Sequence, residues 1–233
     1  MKNIAFVFAR GGSKGLPKKN IKLLNGKPLI QYAIELARSS TRIEKIFVST
    51  DNSEISKISS NLGAIVINRP SQLAADNSPE WLSWQHAIEF VHNNYGKFDS
   101  FISLPPTSPL RNIEDLDNGI NLFDANKNAD ICISITEAHR SPYFNMVTKD
   151  NNGFIKLVNQ TNTTISRRQD APVVYDITTV MCIAKPSFIL KVNNLFDGNV
   201  IGFSVPKYRS IDVDDIYDFK FAEFMLKEGI NEK

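Results

Sequence analysis

The chain has 233 residues, 42% hydrophobic and 22% charged, which suits one large α/β domain and excludes a disordered chain. Lys and Arg number 27 against 25 Asp and Glu, so the net charge of +2 excludes a broad basic field for nucleic acid or a membrane surface. Any anion site must therefore be local, and neither nucleic acid nor membrane is an expected partner.

The segment MKNIAFVFARGG has an apolar stretch that runs into an Arg, too short for a signal h-region or a membrane span, and reads as a buried strand over Ile4–Phe8. A Gly/Ser/Lys loop follows from Arg10 to Asn20. Pro28 opens a helix to about Arg38, with Leu29, Ile30, Ala33, Ile34 and Ala37 on one face. Lys45–Ser49 is a second strand, Asp51 or Asn52 caps the next helix, and Ala64–Ile67 is a third strand. Asn77 or Ser78, with Pro79 next, predicts a helix start, and that helix runs to about Val91.

Phe98–Leu104 is a fourth strand, ending at the rigid PPTSP. Asn112 caps a further helix and Asp130–Thr136 is a fifth strand. From about Glu137 to Tyr175 the periodicity breaks into HRSPYFN, the turn DNNG and TTISRRQDAP, an excursion read as a projecting arm. Strands over Thr178–Ala184 and Asn199–Val205 and a helix over Asp214–Glu228 complete the chain. This alternation, with near-continuous apolar strands, predicts a mainly parallel sheet covered by helices on both faces. The chain reads as one domain over 1–233, with 137–177 as the inserted arm. Cys132 and Cys182 lie inside the apolar runs DICISI and VMCIA and read as buried strand thiols, in keeping with a reduced, cytoplasmic setting.

In an open parallel sheet, ligands sit beyond the carboxyl ends of the strands, so the segments leaving those ends carry the candidates. After the first strand, Gly11, Gly12 and Gly15 let backbone amides approach a ligand, while Arg10, Lys14 and Lys19 supply charge. That combination suits a triphosphate, although it is neither a Walker A loop nor G-x-G-x-x-G. The prolines of Pro105-Pro106-Thr107-Ser108-Pro109 shape a wall. In Ser210-Ile211-Asp212-Val213-Asp214, alternation puts Asp212 and Asp214 on one side, where two carboxylates can share a divalent cation. Helix capping by Asp214 or Asp215 is the plainer use of that segment. Arg167 and Arg168 invite an anion or a surface pairing.

His86 and His92 lie on one predicted helix at a spacing that suits no shared metal, and only His139 in the arm draws attention. Trp81 and Trp84 read as helix packing. No Cys/His or Ser/His/Asp nucleophile pattern is present.

Taken together, ARGGSKGLPKKN, RPSQLAADNS, PPTSPLR, RRQDAP and SIDVDD, in that order, resemble the acylneuraminate cytidylyltransferases, which include the CMP-sialic acid synthetases and their legionaminic and pseudaminic relatives. The resemblance implies a Rossmann-like nucleotidyltransferase fold, a homodimer made by the arm, magnesium, and attack of an acidic α-keto sugar's anomeric hydroxyl on the CTP α-phosphorus. By position, Arg10, Ser13, Lys14, Lys19 and Asn20 would hold the nucleotide, with Gly11, Gly12, Gly15, Pro106 and Thr107 around it and Arg69 near the cytosine. Lys19, Asp212 and Asp214 would be catalytic, with the two Asp holding magnesium. Arg168 and Gln169 would meet the sugar, with Pro105, Tyr175, Asp176 and Thr178 on the same side.

Two departures from the sialic acid pattern, Pro105 in place of Gln and Thr178-Thr179 in place of Asn-Gly, lie on the sugar side and imply an altered, legionaminic-type acceptor. An eight-carbon ulosonic acid is the alternative acceptor, disfavoured by the double Arg. A non-catalytic nucleotide-binding regulator would keep the Gly/Lys loop yet have no use for both Asp212 and Asp214. A dehydrogenase would want G-x-G-x-x-G, and the loop spacing here is wrong for it, although Asp51 falls near the expected acidic position.

Overall fold

The computed structural model describes residues 2–160 and 165–229. Thr163 and Thr164 of the arm lie outside the described residues.

In chain order the elements are β1 (Asn3–Phe8), the short pair β2 (Leu23–Leu24) and β3 (Lys27–Pro28), α1 (Leu29–Ser39), β4 (Ile43–Thr50), α2 (Ser53–Asn61), β5 (Ile65–Asn68), α3 (Glu80–Tyr95) and β6 (Ser100–Ser103). Then come α4 (Ile113–Ala125), β7 (Ile131–Glu137), β8 (Val147–Lys149), β9 (Ile155–Leu157), β10 (Tyr175–Ala184), α5 (Pro186–Ile189), β11 (Val200–Ser204) and α6 (Ile216–Glu228).

Seven strands form one sheet in the order β11-β7-β10-β6-β1-β4-β5. β1 runs parallel to β4 and β6, β4 to β5, and β7 to β11. β10 is antiparallel to both its neighbours, β6 and β7. The two faces of the sheet bury different sets of residues, because successive strand side chains point to opposite sides. On one face Ala5 and Val7 of β1 join Ile30, Ile34, Leu116 and Ile120 from α1 and α4. On the other, Ile4 and Phe6 join Trp81 and Ile88 of α3 and Phe188 of α5. Helices thus cover both faces, as the buried strand runs predict. Trp81 and Trp84 pack with ring centroids 5.2 Å apart and planes tilted by 34° within that second layer, which is the packing role expected of them.

Side-chain caps set the starts of α2, α4 and α6. Asn52 accepts from the amides of Glu54 and Ile55 to start α2, and Asn112 with Asp115 forms a capping box on α4. α3 differs from expectation: it begins at Glu80 with Pro79 at the cap position and no side-chain cap. Neither Asn77 nor Ser78 caps it, because the extended Pro79 places the first helical turn one residue later.

The excursion between β7 and β10 contains the hairpin β8–β9 around Asp150-Asn151-Asn152-Gly153. There the Asp150 carboxylate accepts from the amides of Asn152 and Phe154, and Gly153 takes φ +90°. Both cysteines are free, and burial pushes the Cys132 thiol up to about 12. No helix among the described residues is long and apolar enough to cross a membrane.

Candidate active site

The loop after β1 is drawn together by its own side chains. Asn20, buried, donates to the Arg10 carbonyl at 3.0 Å and closes the loop on itself. Arg10 and Lys14 each reach a different oxygen of Asp76, both at 2.8 Å, so one carboxylate aligns two cations. Those cations hold Asp76 below its ordinary value, with Lys14 the stronger influence. Gly11 donates its amide to Asp51 at 2.9 Å, so that N–H is taken by the protein itself. Asp51, at the place where a dehydrogenase would bind ribose, instead braces this loop.

The acid segment docks against the same loop. Val213 is fully buried with Leu16, Leu24, Leu29, Phe219 and Ala222 in a third, smaller core that ties the loop to α6. The Val213 amide donates to the Thr107 carbonyl at 2.8 Å, which lays the segment along the proline-rich turn. With Val213 turned into the core, its neighbours Asp212 and Asp214 project the other way. Gly15 lies so close that a Cβ on it would sit 2.5 Å from the Asp214 carbonyl oxygen. Asp215, not Asp214, caps α6, in a capping box with Asp218. Asp214 is thereby left to pair with Lys19 at 2.9 Å.

Asp212 lies deeper than Asp214. Burial raises its carboxyl above the ordinary value, the nearby Thr107 and Thr179 hydroxyls and Lys19 pull it down, and Asp214 pushes it up again. Its Oδ1 is buried and has no hydrogen-bond partner among the described residues. A desolvated carboxylate oxygen without a donor is costly unless a ligand completes it.

A cavity of about 550 Å³ opens above the strand ends where these parts meet. Arg10, Ser13, Lys14, Gly15, Lys19 and Asn20 of the loop line it, together with Arg69, Pro105, Pro106, Thr107 and Asp214. Gly11 lines a small adjacent pocket, and Gly12 faces open space. Arg69 donates to the Ser49 hydroxyl and carbonyl at 3.1 and 2.8 Å and lies 5.6 Å over the Phe8 ring, a fixed cation at one end of the cavity.

The sequence reading gives no site role to the lining residues Asp76 and Glu80, and it puts Thr178 rather than Thr179 among the site residues. Thr179 is aimed inward by a β-bulge: the β10–β7 register shifts between Ile177 and Cys182, and the Ser134 hydroxyl accepts from the Met181 amide inside the bulge. Thr178 donates its hydroxyl to Ser134, whereas Thr179 shares a 2.8 Å hydrogen bond with Ser108 and faces the cavity. The pair Thr178-Thr179 is visible in the sequence; which member faces inward depends on the bulge. Glu80 has no signal of its own, because an acid in a helix's first turn is ordinary.

The remaining sugar-side candidates do not join this cavity. Arg168 and Gln169 line a second one, of about 470 Å³, with Glu137, Ser141 and Pro172 at the root of the arm. Arg168 donates there to the Ala138 carbonyl at 3.2 Å, while Arg167 pairs with Asp170. Tyr175 and Asp176 are exposed on β10 and line neither cavity. His139 is exposed and also lines neither, and His86 and His92 are lowered by burial on α3.

Comparison with known proteins follows the same lines. The family model described as Cytidylyltransferase matches residues 4–196. The chain is similar to the post-translational flagellin modification protein B of Campylobacter coli, at 33% identity over 225 residues, covering 95% of this chain and 94% of that one. It is also similar to the CMP-N,N'-diacetyllegionaminic acid synthase of Campylobacter jejuni, at 32% identity over 222 residues, covering 94% and 93%. Among solved structures, a CMP:2-keto-3-deoxy-manno-octonic acid synthetase complexed with CTP aligns with a TM-score of 0.72 at 15% identity, covering 99% of this chain and 100% of that one, a likeness of fold.

Proposed function

The chain belongs to the cytidylyltransferase family, and from that premise we propose that it joins CMP from CTP to the anomeric hydroxyl of a nine-carbon nonulosonic acid, releasing pyrophosphate. The observation that carries this reading is the 2.9 Å contact of Lys19 with Asp214, which brings the cationic loop and the acid segment to one cavity that Asp214 lines. A triphosphate needs cations and amides at several angles, and the acid pair at the same place needs a cation to share.

In this reading the loop holds the triphosphate through Arg10, Ser13, Lys14 and Lys19. Asp212 and Asp214 are the residues that would hold magnesium. The unpartnered Oδ1 of Asp212 supports the fit, and two carboxylates suffice where substrate phosphates supply further oxygens. Bound there, magnesium supplies charge neutralisation for the phosphates. The sugar hydroxyl oxygen forms a bond to the α-phosphorus as the bond to the β-phosphate oxygen breaks, and the hydroxyl proton is released. Such a transfer asks the protein for positioning and electrostatics and for no covalent nucleophile.

Arg168 and Gln169 take the acceptor's carboxylate side from the second cavity, and a homodimer built on the arm brings the two cavities into one working site. The arm's exposed Phe154, Ile155 and Val173 support that pairing. Pro105 at the cavity wall, the Thr178-Thr179 pair and the 32% identity to a legionaminic acid synthase support a legionaminic-type acceptor over N-acetylneuraminate. The eight-carbon alternative has only a likeness of fold behind it.

The test is pyrophosphate release from CTP and magnesium across a panel of nine-carbon and eight-carbon α-keto sugar acids. Release with a legionaminic-type acid is expected. Release with none of them, from well-folded protein, would leave a nucleotide-binding regulator instead.

A further inference from the structure

Behind the proline wall of the cavity lies a buried cation that the reading above does not use. Arg111 follows the proline-rich turn, is 7% exposed, and does not line the cavity. Burial lowers its guanidinium to about 9, while the charges of Asp115 and Asp212 favour the ionised form, so it is a cation at neutral pH. Asp115 is itself held through both its oxygens by Arg209, at 2.9 to 3.1 Å. Arg111 instead turns its two terminal nitrogens to backbone oxygens. Its Nη1 donates to the Val180 carbonyl at 2.5 Å, and its Nη2 donates to the Pro105 carbonyl.

Burying a cation is costly unless its donors are met, and both carbonyls are in want of a donor. Val180 lies in the β10 bulge, where the ladder to β7 is interrupted, and Pro105 lies just past the end of β6. A planar guanidinium holds two acceptors at a fixed separation, which a flexible ammonium does not. The same two segments are joined again at a second point. Ser108, fully buried, shares its 2.8 Å hydrogen bond with Thr179, the residue before Val180. The turn over residues 105–108 is thus bridged twice to β10, by Arg111 and by the two hydroxyls, into a closed frame. The acid segment hangs on that frame, because the Val213 amide donates to the Thr107 carbonyl at 2.8 Å, between Asp212 and Asp214. Thr107 and Thr179 also bring their hydroxyls beside Asp212.

We propose, on the reading that Asp212 serves the transfer, that Arg111 is a positioning residue whose bridge between Pro105 and Val180 fixes where Asp212 stands at the cavity. Arg111 touches neither nucleotide nor sugar. It acts through the turn, and Thr107 passes the constraint to Val213. Without the bridge the turn and the acid segment shift together, and a misplacement of about 1 Å can cost about 100-fold in a transfer that depends on positioning.

The experiment compares the wild type with Arg111→Lys, Ser108→Ala and the double variant, each first shown to be folded by a thermal melt. Arg111→Lys keeps the charge and loses the two-point fork. It should lower kcat about tenfold or more and leave the KM for CTP and for the sugar within about threefold. Ser108→Ala opens the other bridge and should lower kcat less. Since both act on one frame, the double variant should lose less than the product of the two single losses. Hydrogen exchange of the ligand-free protein reads the frame without turnover: in Arg111→Lys the amides of Thr107, Val180 and Val213 should exchange about tenfold faster, with those of α1 and β4 unchanged. Exchange that rises throughout the chain makes Arg111 merely structural and overturns the proposal. So does a kcat within about twofold of wild type, or single losses that multiply in the double variant. Should Arg111→Lys not fold, Ser108→Ala decides: faster exchange confined to those three amides supports the frame, and unchanged exchange there overturns it. A wild-type chain that releases no pyrophosphate would overturn the function reading, and the exchange pattern would still decide the frame.

Discussion

Lys19 Nζ lies 2.9 Å from Asp214 Oδ1, across 195 positions of sequence. The Lys19 side chain is 13% exposed and that of Asp214 75%, so a largely buried cation is anchored to an acid at the mouth of the cavity. The buried Leu16, three residues before Lys19, and Val213, next to Asp214, share one small core, and Gly15 permits the backbones to touch. An exposed ion pair by itself adds little to stability. The apolar contact holds the segments together, and the charges decide what can bind between them.

Asp212→Asn should separate activity from stability. Burial and the charge of Asp214 raise the Asp212 carboxyl, so the folded chain holds that proton more tightly than the unfolded chain does. The associated stability is present below the unfolded value and is lost as pH rises through the raised folded value. At neutral pH an ionised Asp212 is therefore a burden on the ligand-free protein. Asp212→Asn should lower turnover about 100-fold or more while raising the melting temperature, by roughly 2–4 °C for each kcal/mol of strain relieved. Turnover assays beside thermal melts check both; near-normal turnover removes Asp212 from the mechanism.

Acidification gives a companion result. Because Asp212 keeps its proton to a higher pH than an ordinary Asp, affinity for magnesium with CTP should begin to fall before exposed carboxylates titrate. Calorimetric titrations in a pH series check it, and Asp212→Asn should flatten that part of the profile.

Gly15→Ala and Gly12→Ala make a matched pair. A Cβ on Gly15 meets the Asp214 carbonyl oxygen at 2.5 Å, a backbone atom that cannot swing aside, whereas one on Gly12 meets nothing within 4 Å. Gly15→Ala should cost about 1–3 kcal/mol and loosen the acid segment from the loop, with a matching loss of CTP affinity. Gly12→Ala should stay within about 0.5 kcal/mol. Denaturant melts and CTP titration compare the two, and equal behaviour would remove the Gly15–Asp214 contact from the site's architecture.

Lys14 is exposed and pairs with Asp76, so its charge is available to a triphosphate at the cost of one surface pair. Lys14→Ala should raise the KM for CTP about tenfold and leave the acceptor-sugar KM within about twofold. Steady-state kinetics with each substrate varied in turn reads the difference, and a larger effect on the sugar would place Lys14 elsewhere.

Arg168 lines the cavity at the arm's root, away from the loop residues. Arg168→Ala should weaken acceptor-sugar use about tenfold or more and leave CTP binding unchanged. Loss of CTP affinity instead would tie the arm to the nucleotide.

Much of the fold is legible in the sequence because its causes are local. The apolar runs of Ile4–Phe8 and Phe98–Leu104, the Asn52 and Asn112 caps and the helical spacing of Leu29 to Ala37 each depend on residues a few positions apart, and each falls on an observed element, although the strand expected over Phe98–Leu104 covers only Ser100–Ser103. The cap before α3 is off by one residue because Asn, Ser and Pro in a row allow two starts. The antiparallel course of β10 has no local sign, since a buried strand has the same composition whichever way it runs.

For the site, the sequence by itself determined which residue types were at hand: a glycine-rich cationic loop, a proline wall, and two acids flanking a valine. Tertiary structure alone decided that Asp214 meets Lys19, that the bulge at Ser134 presents Thr179 rather than Thr178, that Glu80 enters the cavity, and that Arg168 and Gln169 stand at a separate one. The physical reason is range. Periodicity and capping act over one or two turns of chain, whereas these placements follow from side chains far apart in sequence sharing a single apolar core.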